Sequence, residues 1–529
     1  MSRPDEQEPV VFDLVEESEP DTAGDVGEAA PTGSPDPRRP RLPRLSRRTW
    51  LVAASVVVVL IATTVTVDQV RDHRRAELMR SSSVGVVSLA DPPAETWTVP
   101  YDFPAEPSWD SFVDQQRVIM DGLLVLPPGR AQRYTVDSSS GAAELEPAGF
   151  EDVTAVDPGS GEVVWRVAVG ERPVCGPTGY DGSASADVLV CVHGPGDARE
   201  VLTIAPDGST GSRGAELADG EQIFPGPDGL VVRVERIGPA AEPVECNTTG
   251  TCTPAMLADG RDALVTVEDA ATGAERWTSI VEFTRTESVN CQEYDPMTGQ
   301  PAGVDTDQIV VQTGFETIDV DGCGIRGTLS VQGVRLDTLG SGESTESWVT
   351  ELGGGVFAVQ GNGTDTVVVD ETGEPLGTLD GWVNVTARSP DAPDGLWIVT
   401  DESGYGFDAV REDGSVAWTE RSGSAQLVAR DVVVVDRGAE VVGLDRTDGE
   451  QLWVWSSEDA GGLVRYRTLT DGETVALVHQ SQEGLGDGLL VALDLDTGEQ
   501  LWDAPLTGSP VAVYGHIVEL TPGGLTGLG

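Results

Sequence analysis

Short apolar runs bounded by polar turn residues recur along most of the chain. Residues 432–435 are four valines between Asp431 and Asp436, and residues 488–494 repeat the pattern. Runs of this length, rich in β-branched residues, are typical of β-strands. One run differs, because residues 50–67 are eighteen residues without a charge and would span roughly 27 Å as a helix, close to the thickness of a hydrocarbon core. The pattern predicts strands throughout and one transmembrane helix.

A single phrase recurs among the predicted strands: a short strand, an Asp, a turn that ends in Gly, and a strand that carries Trp. In four copies the Asp lies four positions before the Gly and the Trp four positions after it. These copies contain Asp157, Gly161 and Trp165; Asp269, Gly273 and Trp277; Asp445, Gly449 and Trp453; and Asp494, Gly498 and Trp502. A fifth copy keeps Gly414 and Trp418. Gly supplies a positive φ, Asp can bond its own turn, and Trp can wedge between neighbouring sheets.

The spacing of the copies predicts the number of units. Weaker copies lie near Gly208, near Gly373 and in the stretch that ends at Trp348, which makes eight candidate turns. The 337 positions from Gly161 to Gly498 give a mean interval of roughly 48 residues, close to the ~40–50 residues of a four-stranded propeller blade. We therefore predict an all-β, seven- or eight-bladed β-propeller over residues 109–529. Its C-terminal strands, 511–521 and 524–528, are expected to pair with a strand at 96–100.

The phrase resembles the blade signature A-x-D-x-x-T-G-x-x-x-W of the pyrroloquinoline-quinone (PQQ) type propellers. This family contains quinoprotein dehydrogenases and non-enzymatic outer-membrane assembly lipoproteins. The match is complete from Ala492 to Trp502 and good in the other three full copies. The resemblance implies seven or eight blades and, in the enzymes, a quinone, a calcium ion and a catalytic Asp, often beside a disulfide between adjacent cysteines.

The chain departs from the enzymes of that family. No two cysteines are adjacent, and no motif provides the calcium ligands. The four His are scattered, which gives no support for a catalytic zinc site. The chain has no Gly-x-Ser-x-Gly motif for a nucleophilic serine and no Lys for a phosphate-binding loop. We therefore expect that the protein is not an enzyme and that it has no catalytic residue, no metal-binding residue and no cofactor. Binding of PQQ and calcium is implied by the resemblance alone.

The N-terminal segments predict a membrane topology. Residues 1–37 hold eleven acidic side chains and one Arg, which predicts a disordered acidic cytoplasmic tail. Residues 38–49 form a basic juxtamembrane segment with six Arg ahead of the helix at 50–67, which favours a cytoplasmic N-terminus. Residues 68–108 are interpreted as an extracytoplasmic stalk and linker. The prediction is an uncleaved signal anchor in the plasma membrane, crossing once.

The six cysteines all follow the predicted helix, which favours an oxidising compartment. Fifteen pairings are possible, and pairing of neighbours is the simplest. It would join Cys175 to Cys191, Cys246 to Cys252 and Cys291 to Cys323. Reduced core cysteines in a cytosolic domain are the alternative.

The charge limits the partners. The formal net charge is −56, so nucleic acid and anionic membrane surfaces would be repelled. The repeat units between residues 209 and 348 are the longest and carry four of the cysteines. Their long loops either form a binding surface or are held by disulfides only for stability. We expect a non-enzymatic binding or scaffold module for an envelope protein or a cell-wall ligand. A diverged PQQ/calcium-dependent dehydrogenase and a transmembrane sensor are the alternatives.

Overall fold

The computed structural model describes most of the chain after residue 72. The described residues are 73–100, 118–126, 132–136, 143–147, 152–170, 173–177, 186–195, 198–240, 256–294, 301–340, 347–361, 365–383, 386–393, 395–400, 405–411, 414–438, 440–456, 464–480, 488–521 and 524–529. The predicted tail, basic segment and helix at 50–67 lie outside them. None of the helices within these ranges combines the length and the apolar character needed to cross a bilayer.

Most described residues lie in antiparallel sheets whose strands follow one another in chain order. Sheet 1 contains Val118–Met120, Leu123–Leu126, Asp152–Val156 and Val163–Ala168. Sheet 2 contains Val174–Gly176, Leu189–His193, Ala198–Ile204 and Thr210–Glu216. Sheet 3 contains Gln222–Pro225, Leu230–Ile237, Asp262–Asp269 and Glu275–Val281. Sheet 4 contains Ile309–Thr313, Thr317–Gly322 and Ile325–Ser330.

The same arrangement continues through the C-terminal half. Sheet 5 contains Trp348–Gly353, Val356–Gln360, Asp365–Asp370 and Pro375–Asp380. Sheet 6 contains Trp382–Val383, Leu396–Thr400, Phe407–Arg411 and Val416–Glu420. Sheet 7 contains Ser424–Ala429, Val432–Asp436, Glu440–Asp445 and Gln451–Ser456, with Ala387–Arg388 added in parallel at its first strand. Sheet 8 contains Val464–Thr470, Thr474–Gln480, Gly488–Asp494 and Gln500–Leu506.

Sheet 9 joins distant parts of the chain. It contains Ser509–Val513, His516–Thr521, Gly524–Leu528 and Glu95–Pro100. Trp97 lies opposite Gly527, so the strand near residue 96 pairs with the C-terminal strands as predicted. The described residues thus form nine sheets of three or more strands, whereas seven or eight blades were predicted. The eight predicted turns missed sheet 9, because its third and fourth strands have no turn between them.

Smaller elements connect the sheets. Two-stranded pairs are formed by Gln132–Val136 with Ala143–Pro147, Met256–Leu257 with Thr286–Glu287, and Gln292–Tyr294 with Pro301–Val304. Ser288–Cys291 is a 3-10 helix, and residues 73–80 are helical.

Apolar clusters join consecutive sheets. One cluster contains Val434 of sheet 7 with Leu477 of sheet 8, and another contains Val518 of sheet 9 with Leu124 of sheet 1. Corresponding clusters join most of the other consecutive sheets. Sheet 5 is different, because Phe357 packs against Leu336, which follows the last strand of sheet 4. The core is therefore a succession of layers between sheets, as expected when no sheet can bury its own faces.

The packed domain begins earlier than the predicted boundary at residue 109. Met79, Val86 and Leu89 are at most 1% exposed. The Leu89 amide donates to Asp471 Oδ2 at 2.8 Å, and the Val86 amide donates to the Thr470 carbonyl at 2.9 Å. This part of the predicted stalk is therefore packed against sheet 8.

Candidate functional site

The Asp of each full repeat copy closes the turn between the third and fourth strands. Asp157 Oδ1 accepts hydrogen bonds from the Ser160 amide at 2.8 Å and the Ser160 hydroxyl at 2.9 Å. Asp494 Oδ1 makes the same two bonds to Thr497, both at 2.8 Å. Asp269 binds Thr272 in this way, and Asp445 accepts from the Thr447 amide. These carboxylates are used within their own turns.

The repeat glycines have positive φ because the turn requires it. Their φ angles are +70° at Gly161, +72° at Gly273, +79° at Gly414, +74° at Gly449 and +70° at Gly498. At Gly498 the turn also leaves no room for a side chain, because a Cβ there would lie 2.7 Å from the Trp453 ring.

Most repeat Trp side chains contact the turn of the next sheet, whereas Trp502 contacts the segment that precedes the strand Glu95–Pro100. The indole Nε1 of Trp453 in sheet 7 donates to the Leu495 carbonyl in the turn of sheet 8 at 2.8 Å. The other bonds of this kind are Trp165 to Pro206 at 2.8 Å, Trp277 to Val331 at 3.0 Å, Trp418 to Arg446 at 2.9 Å, Trp502 to Leu89 at 2.8 Å and Trp97 to Pro158 at 3.2 Å. The Trp97 bond runs from sheet 9 back to sheet 1, so the succession of contacts returns to its start.

An Arg takes the Trp position between sheets 2 and 3. Arg213 Nε donates to the Ala270 carbonyl at 2.8 Å, and Arg213 NH2 pairs with Glu268 at 2.8 Å. Glu268 also pairs with Arg233, which binds Glu221 at 2.6 Å. Burial would raise the pKa of Glu221, but its hydrogen bond to Arg233 holds that pKa below its usual value. No sequence motif marked this ion-pair network, because Trp is absent from it.

The copy that ends at Trp348 was wrongly assigned. The turn after the last strand of sheet 4 is formed at Ser330, where the Gly333 amide donates to the Ser330 carbonyl at 2.9 Å. Trp348 instead begins the first strand of sheet 5. The turn lacks an Asp, so the sequence around Gly333 carried little of the repeat signal.

Two of the predicted disulfides are present. Cys175 pairs with Cys191, its direct cross-strand neighbour in sheet 2, and Cys291 pairs with Cys323. Cys246 and Cys252 lie outside the described residues. The Cys291–Cys323 bond ties the 3-10 helix to the turn between the second and third strands of sheet 4.

The insertions lie at one end of the sheets. In an antiparallel sheet read in chain order, the connection from strand two to strand three is at the opposite end from the connection from strand three to strand four. Met256–Leu257 and Cys323 both lie in connections from strand two to strand three. We call this the insertion end; the repeat Asp–Gly turns lie at the other end.

Sheet 4 has one polar face. Ile318, Val320 and Leu329 on its other face are fully buried in the core shared with sheet 3. Asp321 lies opposite Val310 on one side and Arg326 on the other, and Asp319 lies opposite Thr328. Because residues opposite each other share a face, these side chains lie together on the face turned away from that core. Val310 is 43% exposed.

The pKa values of two carboxyl groups on this face are raised. Burial raises the pKa of Asp319, and repulsion from Asp321 and Asp337 raises it further, against a hydrogen bond from Thr328. Burial likewise raises the pKa of Asp321, although Arg326 opposes the shift. Arg326 and Asp321 form a loose pair at 3.8 Å.

Two tryptophans are exposed at the insertion end, and one of them contacts this face. Trp348 is 49% exposed and Trp382 is 47% exposed, and each is the first residue of the first strand of its sheet. The Arg326 guanidinium lies over the Trp348 ring, 4.4 Å from its centroid. First strands begin at the insertion end, so both indoles lie at the end that carries the stapled turn.

Two buried polar side chains bond to the backbone on either side of Trp382. Gln360 lies opposite Trp348 in sheet 5, and its side-chain amide donates to the Val383 carbonyl beside Trp382 at 3.3 Å. Thr366 donates to the Gly381 carbonyl, on the other side of Trp382. Gln360 and Thr366 are at most 5% exposed. We call Asp319, Asp321, Arg326, Trp348 and Trp382 the acidic–aromatic patch.

The described residues do not fit a quinone and calcium site of the enzyme type. They contain no group of three or more His, Cys, Asp or Glu side chains that could hold a metal ion. The Cys175–Cys191 disulfide joins opposite residues of two strands, not adjacent residues of the chain. PQQ carries carboxylates, which the acidic–aromatic patch would repel. We derive no catalytic step through these groups.

One family model matches the chain. Residues 340–521, which include sheets 5 to 8, match the family described as outer membrane protein assembly factor BamB. The predicted resemblance to PQQ-type repeats is thus confirmed for this part of the chain. No curated protein matches the sequence.

Several solved structures are distantly similar. The dihydro-heme d1 dehydrogenase NirN in complex with DHE shares 12% identity, with 81% of this chain and 82% of that chain covered and a TM-score of 0.31. The computationally designed protein Ika8 shares 12% identity over 78% of this chain and 95% of that chain, with a TM-score of 0.27. A KlHsv2 variant with loop 6CD replaced shares 9% identity over 60% and 95%, with a TM-score of 0.26.

Proposed function

We propose, from the PQQ-type repeats that residues 340–521 carry, that this protein is a non-enzymatic binding module built as a closed β-propeller. Nine blades would correspond to the nine sheets. The pairing of Trp97 with Gly527 and its bond to Pro158 support closure between sheets 9 and 1.

The single observation that carries the binding role is the exposure of Trp348 and Trp382 at the end of the sheets that also carries the stapled turn at Cys323. Large exposed aromatic side chains are costly unless a partner covers them, and aromatic residues anchor many interfaces. The backbone on both sides of Trp382 is bonded to buried side chains, and Trp348 lies in a paired strand, so a partner would meet a preformed backbone.

The repeat carboxylates support the absence of catalysis. Asp157, Asp269 and Asp494 each accept hydrogen bonds from their own turns. A catalytic acid or base must reach a substrate proton, and these groups are engaged in local structure.

Location at the cell envelope is part of the proposal. The uncharged run at 50–67, the six Arg before it and the two disulfides after it support a single-pass plasma-membrane protein with a cytoplasmic N-terminus. The acidic tail at 1–37 would then be cytoplasmic.

Photo-crosslinking in cells that produce the full chain tests the binding role. A photoreactive residue at position 382 is expected to give a defined crosslinked product that is lost with Trp348→Ala. A photoreactive residue at position 376, where Leu376 is 57% exposed on the outer strand of sheet 5, is the matched control. Equal products from positions 376 and 382 would contradict the site. Dye-linked alcohol or sugar oxidation by the full chain with PQQ and calcium would contradict the non-enzymatic role.

A further inference from the structure

We propose that the acidic–aromatic patch binds a cationic segment of a partner protein, whose Arg or Lys side chains lie against the indoles of Trp348 and Trp382. This inference rests on the proposed binding function and names the chemistry of its partner. It combines the exposed rings, a cation already seated on one ring, and the local excess of carboxylates.

The Trp348 ring already accepts a guanidinium. Arg326 lies 4.4 Å from the ring centroid, a distance at which the ring quadrupole attracts a cation. Arg326 belongs to sheet 4 and Trp348 to sheet 5, so this contact joins the two sheets. Trp382 offers a second exposed indole, and Gln360 donates to the carbonyl of the next residue, Val383.

Carboxylates beside the rings favour a positive partner. Repulsion from Asp321 and from Asp337, which pairs with Arg335 at 2.7 Å, raises the pKa of Asp319, and Asp337 also raises that of Asp321; a cation brought to this face would lower both pKa values. Arg326 offsets only part of this charge, because its contact with Asp321 is long and half exposed. A cationic side chain would gain both ring contact and neutralisation.

The charge of the whole chain points in the same direction. Residues 68–529 contain 78 acidic residues, 26 Arg and no Lys. A domain of this charge attracts a cationic segment over several ångströms, while the two rings give that attraction a defined position. An anionic ligand would be repelled, and a neutral glycan would stack on the rings without using the carboxylates.

Binding of a short peptide, Gly-Arg-Gly-Arg-Gly, to the full chain in mild detergent tests this inference. At 0.15 M salt we expect the Trp348→Ala/Trp382→Ala variant to bind about tenfold more weakly than the wild type, because the rings are lost while the net charge is unchanged. The matched control is Leu376→Ala/Leu452→Ala, which truncates two exposed side chains on the outer strands of sheets 5 and 7. Equal affinity of the two double variants would overturn the inference.

A pair of Arg variants separates ring contact from general attraction. Arg326→Ala and Arg166→Ala each remove one positive charge, and Arg166 lies exposed on the outer strand of sheet 1. Arg326→Ala is expected to strengthen peptide binding more than Arg166→Ala, because it frees the Trp348 ring and Asp321. An equal effect of both substitutions would overturn the inference.

A neutral oligosaccharide distinguishes the two levels of the proposal. If the oligosaccharide binds and the peptide does not, and the double Trp variant abolishes that binding, the binding function stands and the cationic partner is wrong. If no specific crosslink forms at position 382 in cells, the proposed function itself fails. Unfolding midpoints of all variants, expected within a few degrees of the wild type because both tryptophans are half exposed, verify that each variant folds.

Discussion

At the scale of single residues, the repeat signature describes a contact between two sheets. In most copies the indole Nε1 of the Trp donates a hydrogen bond to a backbone carbonyl in the turn of the next sheet. The residue opposite the Trp is usually small, as at Ala492 opposite Trp502, although Val267 lies opposite Trp277. Gly443 shows the limit of this rule, since a Cβ there would lie 2.1 Å from Trp453. The signature therefore records packing and hydrogen bonding, not a catalytic site.

The junction between sheets 5 and 6 lacks a Trp, which gives a prediction. Gly377 occupies the Trp position of sheet 5, opposite Val368, and a Cβ there would meet nothing within 4 Å. Gly414, in the receiving turn of sheet 6, has only the Thr378 carbonyl nearby, at 3.6 Å. We expect Gly377→Trp to stabilise the protein by about 0.5–2 kcal/mol, because it fills the vacant position. The denaturant midpoint measures this gain.

The control for that substitution is Leu376→Trp. Leu376 is exposed on the neighbouring position of the same strand, and an indole there would remain in solvent. A gain of the same size from Leu376→Trp would mean that hydrophobicity, not the vacant junction, stabilises the variant. A loss of stability with Gly377→Trp would mean that sheets 5 and 6 are too close to accept the ring.

The turn carboxylates give a prediction about pH. Hydrogen bonds from Thr272, first from its hydroxyl and then from its amide, together with Arg276, lower the pKa of Asp269 from 3.8 to about 2. Because the folded pKa is depressed, the stabilising contribution is complete above pH ~4 and is lost as the pH falls towards 2. An NMR titration of the Asp269 carboxyl should give a midpoint near 2, and Thr272→Val should move it towards 3.8. A wild-type midpoint near 3.8 would contradict this assignment.

At the scale of elements, the segment from 73 to 89 is held by a buried carboxylate. Asp471 Oδ2 accepts from the Leu89 amide, while Asp471 Oδ1 accepts from the Thr474 amide at 2.8 Å. Asp471→Ala leaves both amides without this acceptor, at a cost of about 1–3 kcal/mol each where they stay buried. We expect faster tryptic cleavage after Arg80 in this variant, measured by mass spectrometry of a digestion time course.

A matched substitution on the surface makes the digestion informative. Asp503→Ala removes a carboxylate from the outer strand of sheet 8, where Asp503 is exposed. It should leave cleavage after Arg80 at the wild-type rate. Equal acceleration by both variants would mean that loss of charge, and not release of the segment, exposes the bond.

The sequence predicted the elements that carry a local signal and missed those that depend on tertiary contacts. Asp494 and Gly498 mark a turn because each acts within a few residues, and the Cys291–Cys323 pair followed from proximity in the chain. Arg213 was missed because its role is defined by Ala270, 57 positions away. The exposure of Trp348 and Trp382 was missed for the same reason, since hydrophobic side chains are ordinarily expected to be buried.

At the scale of the whole molecule, charge opposes the compact state. With a formal net charge of −56, like charges in the chain repel one another. This repulsion acts over roughly 30 Å at 0.01 M salt but over only about 8 Å at 0.15 M salt. We therefore expect the thermal midpoint to rise between these two salt concentrations. Sodium chloride and tetramethylammonium chloride should act equally, because screening depends on ionic strength and not on the ion.

Calcium separates diffuse charge from a specific cation site. At matched ionic strength, calcium chloride is expected to raise the midpoint little beyond sodium chloride, since the repeat carboxylates are bound within their own turns. A rise with micromolar calcium, where ionic strength is unchanged, would contradict this interpretation, because a ligand at about 100 times its dissociation constant adds roughly 2.7 kcal/mol. The carboxylates would then form a calcium site in the folded chain. Calcium and a cationic partner segment could in that case compete for the same carboxylates.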